Sequence, residues 1–429
     1  MKKNKIFDLS AISIIMCDCL QAVVSIFIDL FFVSKILKNP NSSIPNNIIS
    51  IGSFYVLMYF ILAVSYAISG YALKKINKSI FVSIGAVLLT VVVLMIYLME
   101  SQIYSYVLLI AVVYGIAWGF FSSGFNNLTA ETISSKHQVR FFAVKKIAFQ
   151  LTYIIFPISI GLIIDNIDFS FMALIMLALC ALLITFSFFI KPKRTFKQSF
   201  DLKGFGNMML KKSEENKPLW LVYISTFFRG ASFDCFTTLI TIFVMRTFGS
   251  NTSLGMLQSI FTACSLLTMA FYLKYYRKKR VKIFAIPTIV LVACTIIGIL
   301  LSTSKVSIIC FYAVYTILNV ILMSISDSRR AGVVRQLSLH THILESNAYN
   351  EFFLGAGRII STLVVLLSGV FDSLLGADST IFLKVALVFV GGMYIMYGLS
   401  IVWLEKSLVK QDEEFKKAHV MEQIEKGED

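Results

Sequence analysis

Val107-Leu-Leu-Ile-Ala-Val-Val-Tyr-Gly-Ile-Ala-Trp-Gly-Phe-Phe121 carries no charged residue and lies inside a longer, mostly apolar run. Such a run approaches the roughly 20 residues that an α-helix needs to cross the hydrocarbon core of a bilayer. Val87–Leu98 and Ile359–Val370 are runs of the same kind. Across 429 residues the chain is 57% hydrophobic and only 15% charged, against about 25% charged residues in a soluble globular protein. The apolar runs account for the shortfall, so a partition into two or three soluble domains does not apply.

Reading outward from these runs, twelve helices are expected near residues 10–34, 50–72, 79–99, 104–127, 143–165, 170–190, 219–244, 254–275, 283–302, 306–327, 347–371 and 380–404. The fold class is an all-α membrane protein with twelve transmembrane helices in two six-helix pseudo-repeats around a central cavity. Residues 1–190 form the first bundle, 191–218 a basic cytoplasmic linker, 219–404 the second bundle and 405–429 a cytoplasmic tail. The tail is charged with mixed sign and reads as a short helix or disorder. The N-terminal Met-Lys-Lys-Asn-Lys followed by an apolar run resembles a signal peptide, but the run is long enough to span and carries Asp18 and Asp29. It reads as the first helix.

The distribution of basic residues sets the topology. With both ends in the cytoplasm, inner segments hold 32 of the 39 Lys and Arg residues. Outer loops hold Lys35, Lys38, Arg246 and Lys305, and Arg229, Arg358 and Lys384 lie within helices. Positive charge concentrates on the cytoplasmic side of membrane proteins, and a wrong helix count would scramble the alternation. The cytoplasmic membrane is therefore the expected location. The formal charge of +15 comes from short clusters between apolar runs rather than from a basic soluble face, so nucleic acid is not an expected partner. Cys17, Cys19, Cys180, Cys235, Cys264, Cys294 and Cys310 all fall in apolar runs and read as small hydrophobes. Neither a disulfide framework, a metal site nor a cofactor is implied.

The halves echo each other. Lys74-Lys75-Ile-Asn-Lys78 follows helix 2, and Lys278-Lys279-Arg-Val-Lys282 follows helix 8 with the same spacing, 204 residues later. Gly161-Leu-Ile-Ile-Asp165 ends helix 5 and Gly369-Val-Phe-Asp372 ends helix 11. Together they suggest duplication of a six-helix unit.

Six helices plus six, a long basic central loop and cytoplasmic termini together resemble the major facilitator superfamily. That family's signature after helix 2 is Gly-x-x-x-Asp-Arg-x-Gly-Arg-Arg. Here Gly70-Tyr-Ala-Leu-Lys74-Lys75-Ile-Asn-Lys78 keeps the first glycine and the basic residues but lacks the acidic residue and the second glycine. Phe156-Pro157-Ile-Ser-Ile-Gly161 resembles the proline-glycine motif of the superfamily's antiporters, without its repeated glycines. The resemblance covers nearly the whole chain at the level of architecture and implies alternating access around a central cavity.

Charges inside a membrane are costly and face a cavity or a partner. Helix 1 carries Asp18, Gln21, Ser25 and Asp29 on one polar stripe, a candidate cation or proton site. Helix 7 carries Arg229 and Asp234, about 140° apart around the helix and so not expected to pair with each other. Asp234 sits nearly at the repeat-related place of Asp29. Arg358 lies on helix 11, roughly 16 Å along it and near the midplane, and needs an anion: Asp29, Asp234, Glu351 or a substrate carboxylate. Glu351 shares its face at i,i+7 but is expected to be too far for a close direct bond.

Cavity-lining expectations are Gln21, Ser25, Tyr114, Trp118, Asn126, Gln150, Tyr315 and Asn319, with Tyr312 on the same aromatic stripe as Tyr315. Lys145 and Lys146 are expected to reach toward the headgroups. Glu131 and Asp327, each closing a helix, are expected to form inner-gate salt bridges with basic loops. No phosphate-binding Gly-x-x-x-x-Gly-Lys-Ser/Thr motif occurs, so coupling is expected to come from an ion gradient, with protons favoured and sodium open. His137, His340, His342 and His419 lie in expected loops or tail and form no catalytic constellation; an enzyme is not expected. The leading expectation is a monomeric secondary transporter in contact with membrane lipid, moving a small organic solute, with a lean toward export of drug-like or peptide-like compounds. The alternatives are an uptake symporter for a small organic anion, and a non-transporting sensor, scramblase or channel-like protein.

Overall fold

The structure is a computed structural model of the chain that describes residues 8–73, 76–132, 138–191, 200–211, 216–275, 281–337, 342–375 and 381–425. Lys74 and Lys75 of the signature, Lys278 and Lys279 of its echo, and His137 and His340 lie outside the described residues.

Among the described residues, twelve helices are long and apolar enough to cross a membrane. In chain order they are α1 Leu9–Leu37, α2 Ile44–Ala72, α3 Lys78–Leu98, α4 Val107–Thr132, α5 Gln138–Asn166 and α6 Phe169–Phe188, then α7 Lys217–Phe248, α8 Asn251–Tyr275, α9 Val281–Leu301, α10 Lys305–Gln336, α11 Ile343–Leu374 and α12 Ile381–Glu425. Phe60, Ile68, Leu267 and Phe271 are exposed on the outside of the bundle, as side chains facing lipid should be. The protein is a multi-pass membrane protein.

Local sequence sets the helix ends. Ser43 caps α2, where Pro45 tolerates the missing hydrogen bond of a first turn. The Asn77 and Asp168 side chains accept from Ser79 N (3.2 Å) and Ser170 N (3.1 Å) at the starts of α3 and α6. Gly249 ends α7 at φ 69°, a left-handed conformation that glycine adopts without steric cost.

Two elements run further than the sequence indicates. α10 continues to Gln336, so Asp327, Arg329 and Arg330 sit on a helix rather than at its end or in a loop. α12 continues through the charged tail to Glu425. In addition, the linker contains a short helix, Leu202–Lys211, whose Phe205 and Met209 pack against Leu219, Tyr223 and Leu404 of the second bundle.

The two bundles meet where α2 packs along α11 and α5 along α8. We call the face carrying the start of α1 and the end of α12 the termini face, and the opposite one the distal face. At the distal face the sequence echo acquires a physical meaning. A Cβ on Gly161 would lie 2.5 Å from the Asn251 carbonyl of α8, and one on Gly369 would lie 3.0 Å from the Pro45 carbonyl of α2. Each echoed glycine lets a helix of one half press on the backbone of the other.

Candidate functional site

Between the halves lies a cavity of about 370 Å³. Gln21, Ser25 and Asp29 reach it from α1, Trp118 from α4 and Gln150 from α5. Asp234 reaches it from α7, Tyr315 and Asn319 from α10, and Arg358 from α11. The polar stripes on apolar helices thus converge, because water and polar partners are available only inside the bundle.

Arg358 is the hub. Its Nε bonds Asp234 Oδ2 on α7, and its Nη1 lies 3.2 Å from Glu351 Oε1 on its own helix. The guanidinium carbon stands 5.1 Å from the Tyr59 ring centroid and 5.7 Å from that of Trp118, both in the other half. The contact with Glu351 corrects the sequence expectation. A helical side chain leans toward the N-terminus of its helix, so the long arginine reaches back toward the preceding turns and closes the gap. Gly357 and Gly230 create the room: a Cβ at either would collide with the facing backbone of α7 or α11.

Asp29 differs. It sits in a π-helical turn, Phe27–Phe32, inside α1, a local widening that often marks functional positions. The Tyr55 hydroxyl lies 3.3 Å from the Asp29 carbonyl oxygen and 3.5 Å from its Oδ1. Among the described residues no basic side chain comes within 4.0 Å of the Asp29 carboxylate. The spacing with Ser25 shows that α1 has a polar face, but nothing in the residue types marks the π turn.

Other expected residues lie elsewhere. Asp18 is toward the termini face, 3.4 Å from Lys145 Nζ. Tyr114 is fully buried behind the cavity wall, 5.6 Å between ring centroids from Trp118. Asn126, Arg229, Asp327 and Glu351 line a second, smaller cleft of about 170 Å³ on the termini side. Asp327 pairs with Arg229 of α7 at 2.7 Å instead of with a loop, since both residues line the same open cleft. Arg329 pairs with Glu405 of α12. The side chain of Glu131 lies outside the described residues. Lys145 and Lys146 do not reach toward headgroups: Lys145 meets Asp18, and Lys146 lines the central cavity. α5 begins at Gln138, earlier than expected, so both lysines lie on an inward-facing part of the helix.

Sequence reasoning missed Tyr55 and Tyr59 of α2, Tyr153 of α5, and Gln258, Thr262 and Ser265 of α8, all of which line the cavity. The α8 residues follow i, i+4, i+7 spacing, the same signal that singled out α1. Tyr55 and Tyr59 stand at i, i+4 with stacked rings 5.7 Å apart, a pattern as common in packing as in binding.

The sequence profile of the Major Facilitator Superfamily matches residues 11–334. A Bacillus subtilis (strain 168) protein, YqgE, itself uncharacterized, is 27% identical over 341 residues, spanning 78% of this chain and 77% of its own length. The fold is similar to that of the nucleoside transporter NupG, with a TM-score of 0.60, 17% identity, and coverage of 93% of this chain and 99% of that one. It is also similar to the human organic anion transporter TETRAN, with a TM-score of 0.60, 12% identity, and coverage of 92% and 99%. A bacterial homologue of the human lysosomal transporter Spinster, solved inward-facing and unoccupied, matches with a TM-score of 0.54 at 13% identity, covering 94% and 97%.

Proposed function

The chain belongs to the major facilitator superfamily, and from that we propose a proton-coupled secondary transporter that exports a small amphipathic organic solute across the cytoplasmic membrane by alternating access. The observation that carries this reading is the unequal treatment of the cavity's charges. Arg358 is engaged by Asp234 and Glu351, so its charge is spent inside the protein. Asp29 has a tyrosine and, among the described residues, no basic side chain within 4.0 Å. A buried carboxylate of this kind is costly until a proton, or the cationic group of a solute, neutralises it. One carboxylate serving both in turn couples their movements. The aromatic walls offer flat apolar surface beside that charge, which suits an amphipathic solute. The basic bias of the loops supports cytoplasmic termini, so the exposed Asn126, Lys146 and Asp327 would face the cytoplasm. Export is the direction implied by the resemblance of Phe156-Pro157-Ile-Ser-Ile-Gly161 to the proline-glycine motif of the superfamily's antiporters.

A second reading, an uptake symporter for a small organic anion, is favoured by Lys146. It lines the cavity with no carboxylate within 4.0 Å among the described residues. The fold similarity to an organic anion transporter is compatible with it.

Thermal stability of the purified protein against pooled drugs, peptides and metabolites, at two pH values, separates the two, because a ligand that binds only the folded state raises the unfolding midpoint. The export reading expects a cationic or zwitterionic hit whose shift depends on pH and disappears in Asp29→Asn. It also expects flux of that hit in liposomes to follow an imposed proton gradient. An anionic hit that survives Asp29→Asn and is lost in Lys146→Gln would favour the symporter. Flux indifferent to the gradient would remove proton coupling.

A further inference from the structure

The smaller cleft lies beneath the Arg358 hub, between the halves on the termini side, and nothing in the transport reading uses it. Its carboxylates are already in ion pairs: Asp327 pairs with Arg229 at 2.7 Å, and Glu351 with Arg358, which Asp234 shares, at 3.2 Å. Its other cation is not. Arg330, half-buried on α10, has one hydrogen-bond partner, Asn347 Oδ1 at 2.8 Å, and among the described residues no carboxylate within 4.0 Å. That bond also fixes the amide. An arginine can only donate, so the Asn347 oxygen is the acceptor, and its NH₂ donors are left over beside the guanidinium. Asn126 adds a further exposed amide from the other half. The cleft therefore holds one arginine with no ion-pair partner among the described residues and surplus amide donors in about 170 Å³, room for one small anion.

We propose that this cleft binds a carboxylate or phosphate group, held by Arg330 and the Asn347 amide. The anion is either a free cytoplasmic ion or the acidic end of a cargo on its way to or from the central cavity. A planar guanidinium beside amide donors suits either oxyanion. The proposal does not depend on Asp29 or on proton coupling.

The test uses the full-length purified protein and reads its unfolding midpoint in sodium phosphate or sodium acetate, with ionic strength held constant by chloride. The expected result is a saturable rise of about 2–4 °C. Arg330→Gln removes the rise, and Arg330→Lys retains part of it. Asn347→Asp places a carboxylate where the anion would sit. That variant raises the unliganded midpoint and abolishes the response, which keeps the test informative should Arg330→Gln fail to fold. A gain of tenfold or more in apparent affinity for a larger organic acid over acetate assigns the cleft to a cargo's acidic end; equal affinity assigns it to a free ion. No saturable rise in the unaltered protein overturns the proposal, as does an undiminished rise in Arg330→Gln or Asn347→Asp. A response lost in Lys146→Gln also overturns it, because the anion would then be binding in the central cavity.

Discussion

The two ends of the interface between the halves are closed by different physics. At the distal end backbones touch. Gly161 and Gly255 seat α5 on α8, and Gly52 and Gly369 seat α2 against α11. Asp165, at the end of α5, accepts from Thr252 N and Asn251 Nδ2, both at 2.7 Å, and so caps the first turn of a helix in the opposite half. The Ser34 hydroxyl of α1 bonds the Asn251 side chain next to it. At the termini end the side chains are long and charged, and Asn126, Lys146 and Asp327 remain exposed. Phe200 from the linker wedges between Gly70 and Tyr71 of α2 on that side. Shape-fitted contact is lost steeply with separation, whereas flexible charged side chains can follow a partner that moves. The protein is thus shut at the distal face and open toward the termini face, with its rigid seal and its adaptable polar surface at opposite ends.

The strongest way to break that contrast is Gly255→Ala. The added Cβ would overlap the Pro157 carbonyl of α5, and backbone cannot rotate away as a side chain can. We expect a loss of about 1–3 kcal/mol, read as a lower unfolding midpoint, with faster hydrogen exchange in the first turns of α8. Gly298→Ala, where nothing lies within 4 Å, should be neutral or stabilising by up to about 1 kcal/mol. Equal effects at the two positions would remove glycine contact as the seal. Asp165→Ala comes next. It removes the bonds to Thr252 N and Asn251 Nδ2, while Ser250 Oγ still accepts from Ser253 N, and should cost about 1 kcal/mol, with faster exchange at Thr252. Asp165→Asn keeps one acceptor oxygen for Thr252 N but turns an NH₂ toward Asn251 Nδ2, and should recover only part of the loss. If both variants behave alike, the bond to Thr252 N is not what holds that end.

The distal seal and the hub were legible in the sequence to different degrees. Helix number and arrangement follow from apolar run length and the placement of Lys and Arg, because the bilayer imposes both. The echoed Gly161 and Gly369 could be noticed but not explained, since a glycine does not announce which backbone presses on it. Which charge meets which was legible only in outline. Arg358 called for an acid, but Asp29, Asp234 and Glu351 were equivalent candidates until the helices were placed around them. The π turn at Asp29 was invisible, because it depends on packing between helices and not on local propensity. The sequence expectation ends helix 10 at residue 327, short of Arg329 and Arg330, because the charges there read as its end, whereas the helix runs to Gln336. A helix that projects beyond the hydrocarbon core keeps its hydrogen bonds and tolerates charge on its surface.

The subtlest comparison concerns the middle of the α5–α8 crossing, where the glycine seal has ended and the cavity begins. There Gln150 Nε2 donates to Ser265 Oγ at 3.0 Å, a part-buried hydrogen bond between the halves. Both side chains line the cavity, so either can turn to another polar partner when this bond breaks, and no group is left stranded. Gln150→Ala should therefore cost only about 0.5–1.5 kcal/mol, and exchange at Thr252 should stay at its original rate because the distal contacts are untouched. Measured beside Gly255→Ala, it asks whether the crossing yields as one rigid unit or as two. Faster exchange at the distal end of α8 in Gln150→Ala would mean that the seal and the cavity wall move together. Unchanged exchange would mean that the central contact can rearrange around a solute while the distal seal holds.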